Sequence, residues 1–311
     1  MLTTERPQSN ANGAVKTVAV IGAGAIGCVV ADAASRAGHV VSICVRSPLE
    51  AVEIEHNGVV RRPKLVVTCN HNATNCTDWV FIATKTQDTA GTASWLNGLV
   101  GPNTTVIVTQ NGIDGVEIAR QLVDAEVVPA IVYIAAERRG RGRVTHFFGN
   151  KLEVPVGTAG QRLAALMDGH LDIVEQPDFT TAAWRKLICN VALNPITALT
   201  SQRFGVFSLP PIRDLAAGLI AEAAAVGNAA GAHFSPADVD EIVAYCCRLS
   251  PQGGTSMLYD RLAGNRLEYE HLTGTIVRLA ARHGIDVPLN QAIQALLCAI
   301  DHAASHERAV E

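Results

Sequence analysis

The sequence predicts an α/β fold in which an N-terminal doubly wound parallel sheet is followed by a C-terminal all-helical domain. Three observations carry that prediction. A β-branched apolar run, TVAVI at residues 17–21, enters Gly22-Ala23-Gly24-Ala25-Ile26-Gly27 and then an alanine-rich stretch to Arg36. Further short apolar runs follow at residues 64–68, 79–83 and 105–109, with helical stretches between the later ones. Past Pro177 the short runs give way to long alanine-rich segments punctuated by proline and by serine or threonine caps. At 311 residues the chain exceeds the usual single core. We divide it into a disordered leader (1–15), a sheet domain (16–177) and a helical domain (178–311).

Composition narrows the function classes. Hydrophobic residues make up 48% and charged residues 17%, which implies a folded, soluble core, and a net charge of −4 leaves no electrostatic footprint for nucleic acid. The one basic cluster, Arg138, Arg139, Arg141 and Arg143, is interrupted by glycines and reads as a solvated hairpin tip. None of the eight cysteines is spaced Cys-x-x-Cys, so they read as thiols in a reducing compartment rather than zinc ligands or disulfides. Residues 1–15 are polar and lack the apolar stretch of a signal peptide. No uncharged run reaches the roughly eighteen residues that span a bilayer. The expected setting is cytoplasmic, with no metal, membrane or nucleic-acid partner.

The first unit is strand, glycine turn, helix, with Gly38 as the helix stop. A second strand runs from His39 to Val45, giving a βαβ unit of the size used for dinucleotides, a Rossmann-type arrangement. Glycine serves the tight turn at Gly22, the approach of backbone to a pyrophosphate at Gly24, and helix–strand packing at Gly27. The free N–H groups of Ala25, Ile26 and their neighbours at the helix start favour the phosphates. After the second strand an NAD-binding chain usually carries an acid for the ribose 2′-OH, whereas this one has Arg46 and Ser47. A guanidinium suits a 2′-phosphate, so NADP is favoured. The plain alternative is a surface arginine.

Two polar loops lie just past the strands at 79–83 and 105–109 and make Lys85 and Asn111 cofactor- or substrate-facing candidates. Loop chemistry alone also accounts for them, because Asn-Gly is a turn dipeptide. From Val127 to about Val174 shorter alternating runs (127–134, 143–149 and 151–157) read as an antiparallel extension, with His146 in a structural role. Thr180 or Thr181 can cap a helix carrying Lys186, Asn190 and Asn194 at four-residue spacing. Each step of four advances 400°, so the three form one polar stripe in an otherwise apolar segment. Pro195 should kink or end that helix beside Asn194. The stripe is either an exposed face or the holder of a small polar substrate. Further helices are expected at about 212–230, from Ser235-Pro236 to about Leu249, within 255–284, and from Pro288 to near Ala304. The alanine-rich stretches 215–230 and 291–304 pack either internally or across a homodimer. Ser256 suits a helix cap or a substrate hydroxyl, and Glu268 sits among Arg266, Glu270 and His271 as on a charged helix face.

In order and spacing, the glycine turn, Gln110-Asn111-Gly112, the Lys186/Asn190/Asn194-Pro195 stripe, Thr255-Ser256-Met257 and a glutamate twelve residues after that serine resemble the ketopantoate reductase (2-dehydropantoate 2-reductase) family over roughly residues 16–290. The resemblance implies a Rossmann domain joined to a helical one, with NADPH-dependent reduction of a 2-keto acid between them. By position it implies Lys186 as the catalytic proton donor and Glu268 as the active-site glutamate, which also borders the cofactor. Asn111, Asn190, Asn194 and Ser256 fall at substrate-binding positions. Gly22, Gly24, Ala25, Ile26, Gly27, Arg46, Lys85 and Asn111 fall at the NADP site. The chemistry is coherent by itself, since an ammonium beside a ketone can stabilise and protonate the alkoxide formed by hydride transfer. Three positions depart from the usual family pattern: His271 stands for tyrosine, Thr273 for asparagine and Asp88 for glutamine. The expected reaction is 2-dehydropantoate to pantoate. Other readings are a related dehydrogenase acting on another keto or hydroxy acid, or joining a keto acid to an amine, and an NADP-sensing protein without turnover.

Overall fold

The structure is a computed structural model that describes residues 14–310. Most of the leader expected over 1–15 lies outside the described residues; Ala14 and Val15 are exposed and belong to no strand or helix. In chain order the sheet domain comprises β1 (Thr17–Ile21), α1 (Ala25–Arg36), β2 (Val40–Cys44), β3 (Glu53–His56), β4 (Val59–Arg61), β5 (Val66–Thr68), β6 (Trp79–Ile82), α2 (Ala93–Leu99), β7 (Thr105–Val108), α3 (Asp114–Leu122), β8 (Glu126–Pro129), β9 (Ile131–Gly140), β10 (Arg143–Pro155), α4 (Thr158–Met167) and β11 (Asp172–Gln176).

Six strands form a parallel sheet in the order β5-β2-β1-β6-β7-β8. β6 and β7 are buried at every position, as expected of strands covered on both faces. Pro129 is tolerated because β8 is the edge strand, where one ladder donor can be missing.

The extension expected to be antiparallel is a mixed second sheet, ordered β11-β10-β3-β4 with β9 on β10. The run 127–134 divides, its first part joining the parallel sheet as β8 and its remainder opening β9. The runs 143–149 and 151–157 merge into one irregular strand, β10, which pairs antiparallel with β9 but parallel with β3 and β11. The parallel pairing with β11 follows from α4, since a helical crossover returns the chain in the same direction. Asn57 and Gly58, both at positive φ (51° and 76°), turn the β3–β4 hairpin. Buried Asp32 of α1 ties that hairpin to the first sheet, accepting from Arg61 at 2.9 Å and Arg36 at 3.1 Å. The four arginines at the β9–β10 turn are exposed, as expected of a hairpin tip.

The helical domain comprises α5 (Phe179–Thr200), α6 (Pro210–Ala229), α7 (Pro236–Cys247), α8 (Ser256–Leu262), α9 (Thr273–His283) and α10 (Pro288–Val310). The cap of α5 is Asp178, accepting from the Thr181 N–H at 3.0 Å, rather than Thr180 or Thr181. α5 does not end at Pro195. The lost bond and clash cost about 3 kcal/mol in an isolated helix, but residues 191–198 are buried throughout and their packing outweighs it. Ser235 and Asp238 close a reciprocal capping box at α7. Thr255, not Ser256, caps α8 by accepting from the Leu258 N–H at 3.1 Å.

Apolar clusters cover both faces of the parallel sheet, and a separate one joins α5, α6 and α9 to the inner face of α10. α6 is thereby packed internally, with Leu219, Ile220, Ala223 and Val226 fully buried. On α10 Leu297 is buried while Leu296 is exposed. Among the described residues no helix is long and apolar enough to cross a membrane.

At the β1–α1 turn, a Cβ on Gly27 would lie 2.0 Å from the Gly22 carbonyl oxygen, a clash with backbone that no rotamer relieves. Gly27→Ala should lower unfolding stability by about 3 kcal/mol or more, the upper end for overpacking, measured by denaturant unfolding. A wild-type midpoint in that variant would refute the tight packing of this turn.

Candidate active site

The strand order of the parallel sheet reverses at β1 and β6, so their C-terminal ends open a crevice of the kind in which such sheets bind ligands. The glycine turn occupies that crevice. α1 begins at Ala25 with no side chain capping it and no acid in its first turn, which leaves the N–H groups of Ala25, Ile26 and Gly27 without helical acceptors. A Cβ on Gly24 would meet nothing nearer than the Ala83 oxygen at 3.8 Å. The protein's own packing therefore does not demand glycine there, and the open space above bare N–H groups fits a pyrophosphate.

Arg46 follows β2 with its side chain 85% exposed, its nearest acid being Asp88 at 3.8 Å. Lys85 stands just past β6. Its Nζ donates to Asp260 Oδ2 of α8 at 2.7 Å and to Glu268 Oε2 at 3.1 Å, while Glu268 Oε1 accepts from the Thr86 N–H at 2.9 Å. Burial pulls the Lys85 ammonium down, but the Glu268 and Asp260 carboxylates outweigh it and hold the lysine above its ordinary range. Glu268 is thus not part of an exposed charged helix face: it is 5% exposed and spans the two domains. Gln110 organises the loops around it, donating to the Thr84 carbonyl at 3.1 Å and the Thr89 hydroxyl at 2.8 Å.

Beyond β7 a cleft of about 260 Å³ lies between the sheet edge and the start of α5, with Asn111, Ile113 and Ala130 on one side and Phe179, Trp184 and Lys186 on the other. Lys186 has no carboxylate within ion-pair distance among the described residues. Its Nζ lies instead 5.1 Å from the centre of the Tyr133 ring, a cation–π contact. Burial lowers the Lys186 ammonium below its ordinary range, with Cys189 and Glu153 opposing that shift only in part.

Asn190 and Asn194 share the Lys186 face of α5 but lie beyond the cleft lining, deeper in the helical domain. The Asn190 Nδ2 is buried without a hydrogen-bond partner, and Asn194 is only 3% exposed. Such an orphaned donor costs about 1–3 kcal/mol, so its retention calls for an explanation outside folding. Ser256 is exposed in the first turn of α8. The structure therefore joins Lys85 to Glu268, places Lys186 opposite Asn111, and does not pair Lys186 with Glu268.

Three participants escaped the sequence reading: Asp260, Tyr133 and Asp114. Asp114, the first residue of α3, accepts from Thr275 Oγ1 at 2.8 Å and Arg278 at 2.7 Å, and lies 3.0 Å from His271 Nδ1. An acid at a helix start was visible in the sequence, but its partners more than 150 residues away were not.

A Rossmann-type parallel sheet facing a helical domain across a cleft is an arrangement of two-domain dehydrogenases and reductases. Within that class, the chain belongs to the ketopantoate reductase family. Residues 18–159 match the family model Ketopantoate reductase PanE/ApbA, and residues 178–301 match Ketopantoate reductase PanE/ApbA C terminal. A 2-dehydropantoate 2-reductase of Caulobacter vibrioides is 38% identical over 287 residues, covering 90% of this chain and 98% of that one. Among solved structures, a PanE/ApbA family ketopantoate reductase from Ralstonia eutropha superposes with a TM-score of 0.87 at 28% identity, covering 93% of this chain and all of the other (100%). A dimeric ketopantoate reductase from Staphylococcus aureus gives 0.84 at 29% identity, covering 93% and 99%. The family read from the motifs and the two-part fold are both borne out.

The Asp114 cluster has a pH signature. Burial would raise its carboxyl, but hydrogen bonds from His271, Thr275 and Arg278 outweigh that and hold it below the ordinary carboxylate range. A depressed folded value contributes stability above the unfolded value near 3.9, and that contribution disappears as pH falls through the folded one. Asp114→Asn should therefore cost about 1.5–3 kcal/mol at pH 7, with the gap to wild type closing below about pH 4. Denaturant titrations at pH 7, 5 and 3.5 measure it; a gap independent of pH would contradict the assignment.

Proposed function

We propose that the chain reduces a small 2-keto acid with NADPH, 2-dehydropantoate first among the candidates, and that Lys186 supplies the proton. The observation that carries this reading is a half-buried lysine, Lys186, with no carboxylate within ion-pair distance among the described residues, lining a cleft opposite Asn111. An unpaired cation partly withdrawn from water is costly in a folded protein unless something else completes it, and a 2-keto acid brings both a carboxylate and a carbonyl oxygen.

The glycine turn and the N-terminus of α1 are suited to hold the pyrophosphate, and Arg46 the 2′-phosphate. When bound, the reduced nicotinamide supplies a hydride to the carbonyl carbon. Lys186 then stabilises the growing charge on the carbonyl oxygen and donates a proton to it, giving the 2-hydroxy acid and a neutral amine. Desolvation favours that neutral amine, so the environment that lowers the lysine also assists the transfer. Asn111 orients the substrate across the cleft, Asn190 and Asn194 extend the polar stripe behind Lys186, and Ser256 offers a hydroxyl from α8. Glu268 keeps the two domains in register beside the cofactor end through Lys85 and the Thr86 N–H. Assembly as a homodimer belongs to the same reading, with light scattering as its test.

Oxidation of NADPH with 2-dehydropantoate, compared with a panel of other 2-keto acids with and without amines, tests the substrate; no turnover with any member would refute the reductase reading. Lys186→Ala should lower kcat by ~10²–10⁴-fold, the usual contribution of a general acid. Because the donor must be protonated and its pKa is depressed, kcat in the wild type should fall on the alkaline side at a pH below the ordinary lysine value of about 10.4. A Lys186→Ala variant with wild-type kcat would remove the lysine from the mechanism.

A further inference from the structure

The residue just past β2 is where a dinucleotide fold meets the adenosine ribose: a carboxylate there accepts the hydroxyls of a plain ribose, and a guanidinium takes a 2′-phosphate. Here both chemistries converge. The Asp88 Oδ2 lies 3.8 Å from an Arg46 guanidinium nitrogen, with the side chains 35% and 85% exposed. Arg46 comes from the β2 side of the switch point. Asp88 closes the short 3-10 turn Thr86–Asp88 that follows β6.

At 3.8 Å and in contact with water the pair is loose, so the guanidinium remains free to swing toward a phosphate. The carboxylate stays beside it all the same. Any 2′-phosphate reaching Arg46 meets a like charge, while a 2′-hydroxyl meets an acceptor. Lys85, three residues before Asp88, does not offset that charge because Asp260 and Glu268 already hold its ammonium.

We infer that Asp88 is a specificity-determining residue that opposes the 2′-phosphate, accepts the ribose 2′-hydroxyl, and so narrows the preference for NADPH over NADH. This rests on the reading of the glycine turn and Arg46 as a dinucleotide site.

The test is direct binding, followed by fluorescence titration of the whole protein with NADPH and with NADH, alongside kcat/KM for each cofactor. The variants are Asp88→Asn, Arg46→Ala and the double variant. Asp88→Asn should raise the NADPH-to-NADH affinity ratio about ten-fold, the scale of one screened like-charge contact, and the gain should shrink in high salt. In the Arg46→Ala background, Asp88→Asn should still strengthen NADPH binding, because the repulsion acts on the phosphate itself. A ratio within two-fold of wild type for Asp88→Asn would overturn the inference. If wild type binds both cofactors but reduces no keto acid, the reductase reading fails while the affinity ratios still decide the role of Asp88. If it binds neither, the dinucleotide site and the inference fall together.

Discussion

The two domains meet through carboxylates that cannot be left unpaired. Glu268 reaches from the helical domain to the end of the parallel sheet, with one oxygen on Lys85 and the other on the Thr86 N–H. It is nearly inaccessible to water, and removing a partner from such a charge typically costs ~3–5 kcal/mol. Asp114 makes the reciprocal connection, reaching from the sheet domain to His271, Thr275 and Arg278. Each domain therefore inserts an acid among the other's donors. Two such contacts, one after β6 and one after β7, hold the cleft wall against the sheet edge and keep Lys186 facing Asn111.

α5 explains why the polar stripe is more than a solvated face. Its N-terminal part borders the cleft and touches β9 and β10, whereas residues 191–198 are buried in the helical core. The three polar residues therefore pass from a half-buried setting at Lys186 to a closed one at Asn194. Continuity through Pro195 matters here. A helix ending at Asn194 would release the segment that packs against α6 and α8, and with it the fixed orientation of Lys186 at the other end.

What was legible in the sequence was what local chemistry determines. The β1–α1 glycine turn, the buried strands β6 and β7, and the Ser235–Asp238 box each depend on residues within a few positions of one another. The β3–β4 hairpin and β11 went unseen because their strands are short and partly polar, so their alternation is weak, and the ten-residue helix α4 went unseen within a stretch read as strands. Caps were displaced by one to three positions, Asp178 for Thr180 or Thr181 and Thr255 for Ser256, because neighbouring residues of similar chemistry compete for the same N–H groups. The roles of Asp260, Tyr133 and Asp114 arise from contacts across the domain boundary, and no spacing in the chain encodes them.

The departures at 271 and 273 have a structural account that bears on substrate choice. His271 is committed to Asp114, and Thr273 is fully buried at the start of α9. Neither side chain lines the cleft. His271 belongs to the seam between the domains, so a change there alters how the halves are joined. The cleft itself is lined by two cations, Lys186 and Arg120, by the Glu117 carboxylate and the Gln110 and Asn111 carboxamides, and by apolar walls that include Ile113, Ala130 and Trp184. Arg120 has Glu117 at 3.9 Å on the same helix, whereas Lys186 has no carboxylate within ion-pair distance among the described residues, so one negative charge beside Lys186 would be balanced there. Discrimination among the acids proposed for this cleft thus turns on the position of a carboxylate relative to Lys186 and on the shape of the apolar walls.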